Sequence, residues 1–412
     1  MTIGSRLRLS LLAAASALVV GAVPAGAATV APPPAAGDPA AVSDADLARG
    51  GWTGAKLPEG ACSLMGSVKL DAHTTWATGF RISADDRGVD FTPTVYTHDD
   101  RQGAAWRELP LAPGSKGRAN AIAGTSPRDV WVVGDNDLPG GRIQTQHWNG
   151  TSWQVVPAEL SGDALGGGLL SVDAVSSDDV WAAGWAQVVD QRIPDPDGGP
   201  TQIVDHDEGI VRHWDGRTWT QMNLPKPYAS WGLNAISASG PNDVWAVGNG
   251  YGDDDKPVAL HYDGHTWQAL PTPRFTGLWA EFNSVVANSP RDVWAVGRTV
   301  VDEKDRGHAL VMHWDGRTWT QVQAPADAGK LTGVAAVPGG VVAVGSTLSR
   351  DSGYALRVTG THAASLNFPA TSEGTEYTPW SVAADGHEVR VSGAYGLAKQ
   401  DVPMPMLLTT RV

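Results

Sequence analysis

A unit written four times over constrains this chain more than any single residue. Its clearest copy runs from Asn283 through Asp292-Val-Trp294-Ala-Val-Gly297, crosses a variable stretch, and resumes at His313-Trp314-Asp315-Gly316-Arg-Thr-Trp319. The other copies centre on Trp131 with His147 and Trp153, Trp181 with His213 and Trp219, and Trp245 with His261 and Trp267. The four leading tryptophans stand 50, 64 and 49 residues apart. Units of this length cannot each bury a core alone, and a period of this size with several short β-rich runs predicts β-propeller blades. In the copy around Trp245 the pattern predicts four strands, at residues 234–239, 243–248, 258–262 and 266–270. Asp263-Gly264 sits between the last two, a strong hairpin signal. Val244-Trp-Ala-Val247 is continuously apolar, as befits a strand covered on both faces.

Three weaker copies extend the array. Thr75-Trp76-Ala-Thr-Gly79 and Trp106 precede the clear units, and Val341-Val-Ala-Val-Gly345 and Val389-Arg-Val-Ser-Gly393 follow them. The expected fold is all-β, a seven-bladed β-propeller with four-stranded blades. The final copy breaks off after its third strand, and Trp52-Thr-Gly-Ala-Lys-Leu-Pro58 resembles the missing fourth. An N-terminal strand closing the last blade removes two open sheet edges.

Ahead of the repeats, Arg6 and Arg8 precede an apolar run and Ala25-Gly26-Ala27, the layout of a signal peptide over residues 1–27. Residues 28–48 are rich in Ala and Pro and read as a flexible linker, with the propeller at 49–412. The protein is therefore expected to be secreted and extracellular. No later stretch approaches the roughly 20 apolar residues that span a bilayer, so membrane insertion is not expected. The formal charge is −14, which repels phosphate backbones and argues against nucleic-acid partners. It suits basic protein surfaces or divalent cations. Cys62 is the only cysteine and is expected to be a buried free thiol.

A repeat sorts residues by role, because what recurs belongs to the scaffold. Asp129, Asp179, Asp243 and Asp292, with His147, His213, His261 and His313, recur once per copy. They are expected to bond turn backbones and not to share a metal. Asn120, Asn234 and Asn283 each stand 11 residues before a repeat tryptophan and are expected to bond at a bulge or turn. The variable loops carry what occurs once. Trp231, Trp279 and Trp380, with Tyr228, Phe275 and Tyr377, are expected before the first strands of their blades, near the channel rim. They form a candidate ligand- or partner-binding set whose alternative is packing beneath their own loops. Residues 187–208 form an outsized acidic insertion in which Asp195, Asp197, Asp205 and Asp207 are weak candidates for Ca²⁺; a solvated acidic loop is the plainer reading. Asp253, Asp254 and Asp255 add to the negative field. No nucleophile elbow, phosphate cradle or HExxH motif is present, so neither a catalytic residue nor an organic cofactor is assigned.

The Asp-Val-Trp-Ala-Val-Gly and His-Trp-Asp-Gly-Arg-Thr-Trp units, behind a secretory leader in a lysine-poor chain, resemble the secreted seven-bladed propellers of actinobacteria. Within these the chain is similar to the propeller lectin subunits of umbrella toxin particles. The resemblance implies a non-enzymatic, glycan-binding or docking subunit of an extracellular antibacterial complex, with other secreted proteins or cell-surface glycans as partners. The matching motifs are structural, so no binding residue carries over. The competing expectation is a glycoside hydrolase or lyase using carboxylates such as Asp205, Glu281, Glu373 or Glu376.

Overall fold

The repeat folds as an antiparallel four-strand meander, and its recurring glycine explains how the first two strands fit. In the computed structural model, which describes Leu47 and residues 51–412 except 59, 61, 86–87, 104, 136–142, 161, 197–198, 253–255, 350–351, 370–374 and 398–402, the regular structure is β apart from the 3-10 turn Asp100–Gln102 and single helical positions at Leu47 and Gly252. The signal peptide and nearly all of the linker expected at 28–48 lie outside the described residues.

In chain order the strands are Thr53–Gly54 (β1), Ser63–Lys69 (β2), Thr74–Asp85 (β3), Gly88–Asp99 (β4) and Arg107–Glu108 (β5). Then come Arg118–Ser126 (β6), Asp129–Asp135 (β7), Ile143–Trp148 (β8), Trp153–Val155 (β9), Ala164–Ser176 (β10), Asp179–Ile193 (β11), Gln202–Trp214 (β12) and Trp219–Gln221 (β13). Next are Trp231–Gly240 (β14), Asp243–Gly250 (β15), Pro257–Tyr262 (β16), Trp267–Ala269 (β17), Trp279–Ser289 (β18), Asp292–Val300 (β19), His308–Trp314 (β20) and Trp319–Gln321 (β21). The last are Ala328–Val337 (β22), Gly340–Thr347 (β23), Gly353–Thr359 (β24), His362–Leu366 (β25), Thr375–Asp385 (β26), Glu388–Leu397 (β27) and Met404–Arg411 (β28).

Five sheets hold four strands each: β2–β5, β14–β17, β18–β21, β22–β25, and β26–β28 with β1. The remaining two meanders, β6–β9 and β10–β13, form one eight-stranded sheet, joined by the single pair Gly168–Asp135. The four-strand unit is as expected from the sequence, while the sheets do not separate into seven. The first strand of each meander packs against that of the next, in the order β2, β6, β10, β14, β18, β22, β26 and back to β2. The strands thus encircle a channel, the architecture of a propeller.

Each first strand carries a bulge, at Met65, Asn120, Leu170, Asn234, Asn283, Thr332 and Trp380. The bulge pushes a carbonyl towards the second strand. At Gly297 a Cβ would lie 1.9 Å from the Glu281 carbonyl oxygen, and at Gly248 it would lie 2.0 Å from that of Gly232. Any side chain there collides with backbone, so the glycine closing Val-Trp-Ala-Val-Gly is required by close approach.

The tryptophans fill the space between sheets. Each fourth-strand indole packs against the second-strand indole of the preceding meander: Trp153 on Trp76, Trp219 on Trp131, Trp267 on Trp181 and Trp319 on Trp245, with centroids 5.1–6.1 Å apart. β1 closes the last sheet, with Thr53 opposite Thr409 and Gly54 opposite Leu408. Trp52, 2 % exposed, packs on Phe368 and donates its Nε1–H to the Asn367 carbonyl at 2.5 Å. Cys62 is a buried free thiol that accepts the Ile82 N–H at 3.2 Å, and burial raises its pKa. No helix among the described residues is long and apolar enough to cross a membrane.

Closure through Trp52 has a measurable consequence. Trp52→Ala deletes a buried indole and should cost about 3–5 kcal/mol in chemical denaturation, whereas the exposed Thr53→Ala should stay within about 0.5 kcal/mol of the parent. Equal stability of the two variants would show that β1 does not hold the ring shut.

Candidate functional site

The residues with the most reactive side chains in the repeat are tied to one another. Each second-strand Asp starts its strand two residues before the Trp, and the third-strand His lies directly opposite that Trp in the ladder. The His Nε2–H therefore reaches the carboxylate: His147 to Asp129 at 2.6 Å, His213 to Asp179 at 2.8 Å, His261 to Asp243 at 2.7 Å and His313 to Asp292 at 2.8 Å. The same imidazole stacks on the indole with centroids 4.0–4.4 Å apart. The structural role expected of these residues holds, but their partners are each other and not turn backbones. Thr125 and Ser239 also donate to Asp129 and Asp243. The His147 bond is the largest influence on Asp129 and lowers its pKa. At Asp243 and Asp292 burial opposes ionisation, but hydrogen bonds from the neighbours outweigh it, and both also lie below the usual carboxylate range.

The turn between third and fourth strands is fixed by a similar device. Asp215, Asp263 and Asp315 each accept two backbone N–H groups, at 2.8–2.9 Å, from residues two and three positions on. These pairs and turns occupy one face of the propeller, because they sit at the hairpins joining first to second and third to fourth strands.

The channel has a volume of about 490 Å³ and is walled by the first strands. Its bulge residues bridge the meanders. Asn120 Nδ2 donates to the Leu169 carbonyl at 3.1 Å, Asn234 to Phe282 at 2.7 Å, Asn283 to Leu331 at 2.9 Å, and Thr332 Oγ1 to Pro379 at 2.9 Å. Trp380 continues the series by donating to Ser63 Oγ at 3.0 Å, which joins the last sheet to the first. The bulge role expected of the three asparagines is the one they fill. Deeper in the channel, Asp173 accepts the Ala238 N–H at 2.8 Å; burial raises its pKa against that bond.

At the opposite face, the mouth holds a buried ion cluster. Glu281, 7 % exposed, lies 3.0 Å from Arg298 Nε and 3.3 Å from Lys330 Nζ. Burial opposes its charge, but Lys330 and Arg298 prevail and its pKa is lowered. Held ionised, it lacks the proton a general acid must deliver. The Arg298 guanidinium sits 5.5 Å over the Trp279 ring, a cation–π contact.

The aromatic rim expected from the sequence does not form as a set. The first strands begin earlier than the pattern predicts, so Trp231, Trp279, Tyr377 and Trp380 are strand residues. Trp231 is 1 % and Tyr377 4 % exposed, both inside inter-sheet cores. Tyr228 and Phe275 are half-buried against such cores. Trp279 is half-buried beneath Arg298, and of the six only Trp380 lines the channel.

The acidic insertion is a ribbon and not a loop. β11 and β12 stay paired out to Ile193 opposite Gln202, and Ile193, Ile203 and Val204 are exposed along it. Asp205 accepts Gln187 Nε2 at 2.9 Å; Asp195 is exposed near the tip, and Asp197 lies outside the described residues. Among the described residues no three His, Cys, Asp or Glu side chains gather as a metal site requires. Asp207, at the ribbon's root, has its pKa pushed up to about 6 by burial and by Asp205, against His206. Of the other carboxylates raised for catalysis, Glu376 is exposed and Glu373 lies outside the described residues, as do Asp253, Asp254 and Asp255.

No family model and no curated protein matches the chain. Among solved structures it is similar to YCF48 bound to D1 peptide, at TM-score 0.52 and 13 % identity over 88 % of this chain and 95 % of that one. It is also similar to acylaminoacyl peptidase in complex with Z-Gly-Gly-Phe-chloromethyl ketone, at TM-score 0.51 and 10 % identity over 84 % of this chain. The fold is a β-propeller. That likeness speaks for architecture alone, and the aligned region spans about half (51 %) of the peptidase.

Two outcomes follow from this geometry. Asp207 is raised in the folded state, so folding takes up protons and stability falls as pH rises from about 4 to about 6. Asp207→Asn should therefore melt higher than the parent at pH 7.5, by about 1 kcal/mol after solvent screening, and match it near pH 4. Asp292 is lowered, with the opposite sign: its contribution is present above about pH 4 and disappears on acidification. Asp292→Ala should cost about 1–3 kcal/mol at pH 7, read by denaturant titration, and less at pH 2.

Proposed function

We propose that this chain is a secreted, non-enzymatic recognition propeller, glycan-binding or docking, that serves as a subunit of an extracellular antibacterial toxin complex. In this reading the eight-stranded sheet counts as two blades and the ring has seven. The observation that carries the proposal is the division of labour between the two faces. The repeated Asp and His residues are consumed in bonds to one another within each meander, and the Trp residues in packing between meanders. The features that occur once, namely the projecting β11–β12 ribbon and the half-buried Trp279–Arg298 stack, lie at the face bearing the channel mouth. Unrepeated features displayed on a rigid scaffold are where binding concentrates. A propeller of similar architecture has been solved with a bound peptide, which supports recognition of a protein segment as a use of this scaffold. The acidic charge supports a basic partner surface. The link to toxin particles rests on the resemblance of the repeat units and leader.

Tagged protein recovered from culture supernatant should begin near Ala28 and co-purify with other secreted subunits or bind a glycan array. Trp279→Ala should weaken that binding roughly five- to thirtyfold, the value of one interfacial aromatic, with little change in melting temperature. Trp231→Ala, in contrast, should lower stability first. Turnover of chromogenic glycosides, lost on substituting Asp205 or Glu376, would replace this reading with a hydrolase.

A further inference from the structure

The β11–β12 ribbon outruns the sheet that carries it and presents a bare strand edge. Its two strands stay paired out to Ile193 opposite Gln202, whereas β10 accompanies β11 only to Val188 and β13 accompanies β12 only to Arg212. Along a strand, successive residues turn their N–H and C=O groups to opposite edges. Two bonds fix the direction here. The Asp207 N–H leaves the ribbon for Ser230 Oγ at 3.1 Å, and the Val189 N–H, opposite Asp205, turns the other way to the Asp163 carbonyl at 3.2 Å. β12 runs without a bulge from Asp207 to Gln202, so the backbone groups of Asp205 and Ile203 face outward as well. The β11 edge is covered at its root by Asp163, which also pairs with Arg192 at 2.9 Å. Beyond Ser230, β12 is exposed from Gln202 to Asp205.

The side chains along that edge are both apolar and acidic. Ile203 and Val204 are each 39 % exposed, on opposite faces of the ribbon, and Asp205 shares the face of Ile203. Residues 187–208 hold six carboxylates and one arginine. Arg192 is taken up by Asp163, Lys226 meets Glu208 at 3.1 Å and His206 meets Asp190 at 2.9 Å, while Asp205 is bonded to the neutral Gln187. A bare edge is a template for a second copy of the chain, and charge is a common guard against it. Two such ribbons set edge to edge would oppose like carboxylates, and the charge that repels a copy attracts a basic strand.

We propose that the outer edge of β12 docks an extended, basic segment of a partner protein as an added β-strand. Ile203 and Asp205 supply the backbone ladder, the Asp205 carboxylate faces a Lys or Arg of the incoming strand, and Ile203 and Val204 contact its apolar side chains. This rests on the docking reading of the proposed function, to which it adds the place of contact and the chemistry of the partner.

The probe is a fluorescent Lys-Val-Lys-Val-Lys-Val-Lys peptide read by anisotropy, with a Glu-for-Lys peptide and a backbone N-methylated version as controls. The protein should bind it at about 100 μM or tighter, at least about tenfold better than either control. Ile203→Pro removes an outward N–H without breaking the ribbon's own ladder. That variant should melt within about 2 °C of the parent and bind at least about tenfold more weakly. Asp205→Lys should abolish the preference for the basic peptide over the acidic one. Equal binding of the N-methylated peptide, or undiminished binding by Ile203→Pro, would overturn the proposal. So would a parent dimer in sedimentation that Ile203→Pro dissolves, since the edge would then belong to a second copy. Secreted partners or glycans that bind Ile203→Pro as well as the parent would remove this site and leave the proposed function standing; peptide binding by a protein that recruits neither would do the reverse.

Discussion

Everything in this propeller hangs on the carbonyl groups set free by the first-strand bulges. A bulge leaves a backbone acceptor unpaired within its own sheet, and at the channel wall that acceptor must be met from somewhere. The side chain on the bulge of the preceding meander meets it, four times with Asn or Thr. A defect in one sheet thereby becomes a bond between two. The glycine of the second strand permits the bulge, the bulge presents the carbonyl, and the carbonyl recruits the neighbour. Indole packing then seals the outer part of each wedge. Met65 and Leu170 occupy bulges without a side-chain donor, and a second series of bonds joins the meanders beside Leu170 and elsewhere: Ser171, Ser237 and Ser284 accept the N–H groups of Ile236, Ala287 and Val334 at 3.1–3.2 Å.

Much of this was legible in the sequence, for a physical reason: a repeat repeats its backbone constraints along with its residues. The four strands, the closing N-terminal segment and the scaffold role of the Asp and His residues all followed from periodicity. The partners of those residues did not. Direct ladder pairing of His with Trp depends on register, which sequence spacing across a variable loop does not specify. Trp231 and Tyr377 lie ahead of the clearest β pattern in their copies, yet the first strands extend farther out and bury both between sheets. The ribbon is hidden in the sequence for a different reason. Its dense acidic residues mask the β signal of Val188, Val189, Ile193, Ile203 and Val204, which pair along the ribbon. Lys330 could not be connected to Glu281 before the structure placed their strands side by side, because sequence distance hides neighbours in a ring.

The two faces of the molecule differ in how freely they can vary. On one, Asp, His and Trp form a compact stacked unit in which each group satisfies the next, so a change to one member strands the others. On the other, ribbon length, ion cluster and exposed apolar residues depend little on the repeat.

The closing strand has a mechanical consequence. β1 shares only two residue pairs with β28, yet it forms the outer edge of the sheet that completes the circle. Any pull along the segment preceding it is delivered to that short ladder and to the indole of Trp52 lodged against Phe368. The ring thus has a designated place to give way. Under tension Trp52 acts as a rivet, and its withdrawal would peel the first strand off while the remaining sheets stay gripped by their own tryptophans.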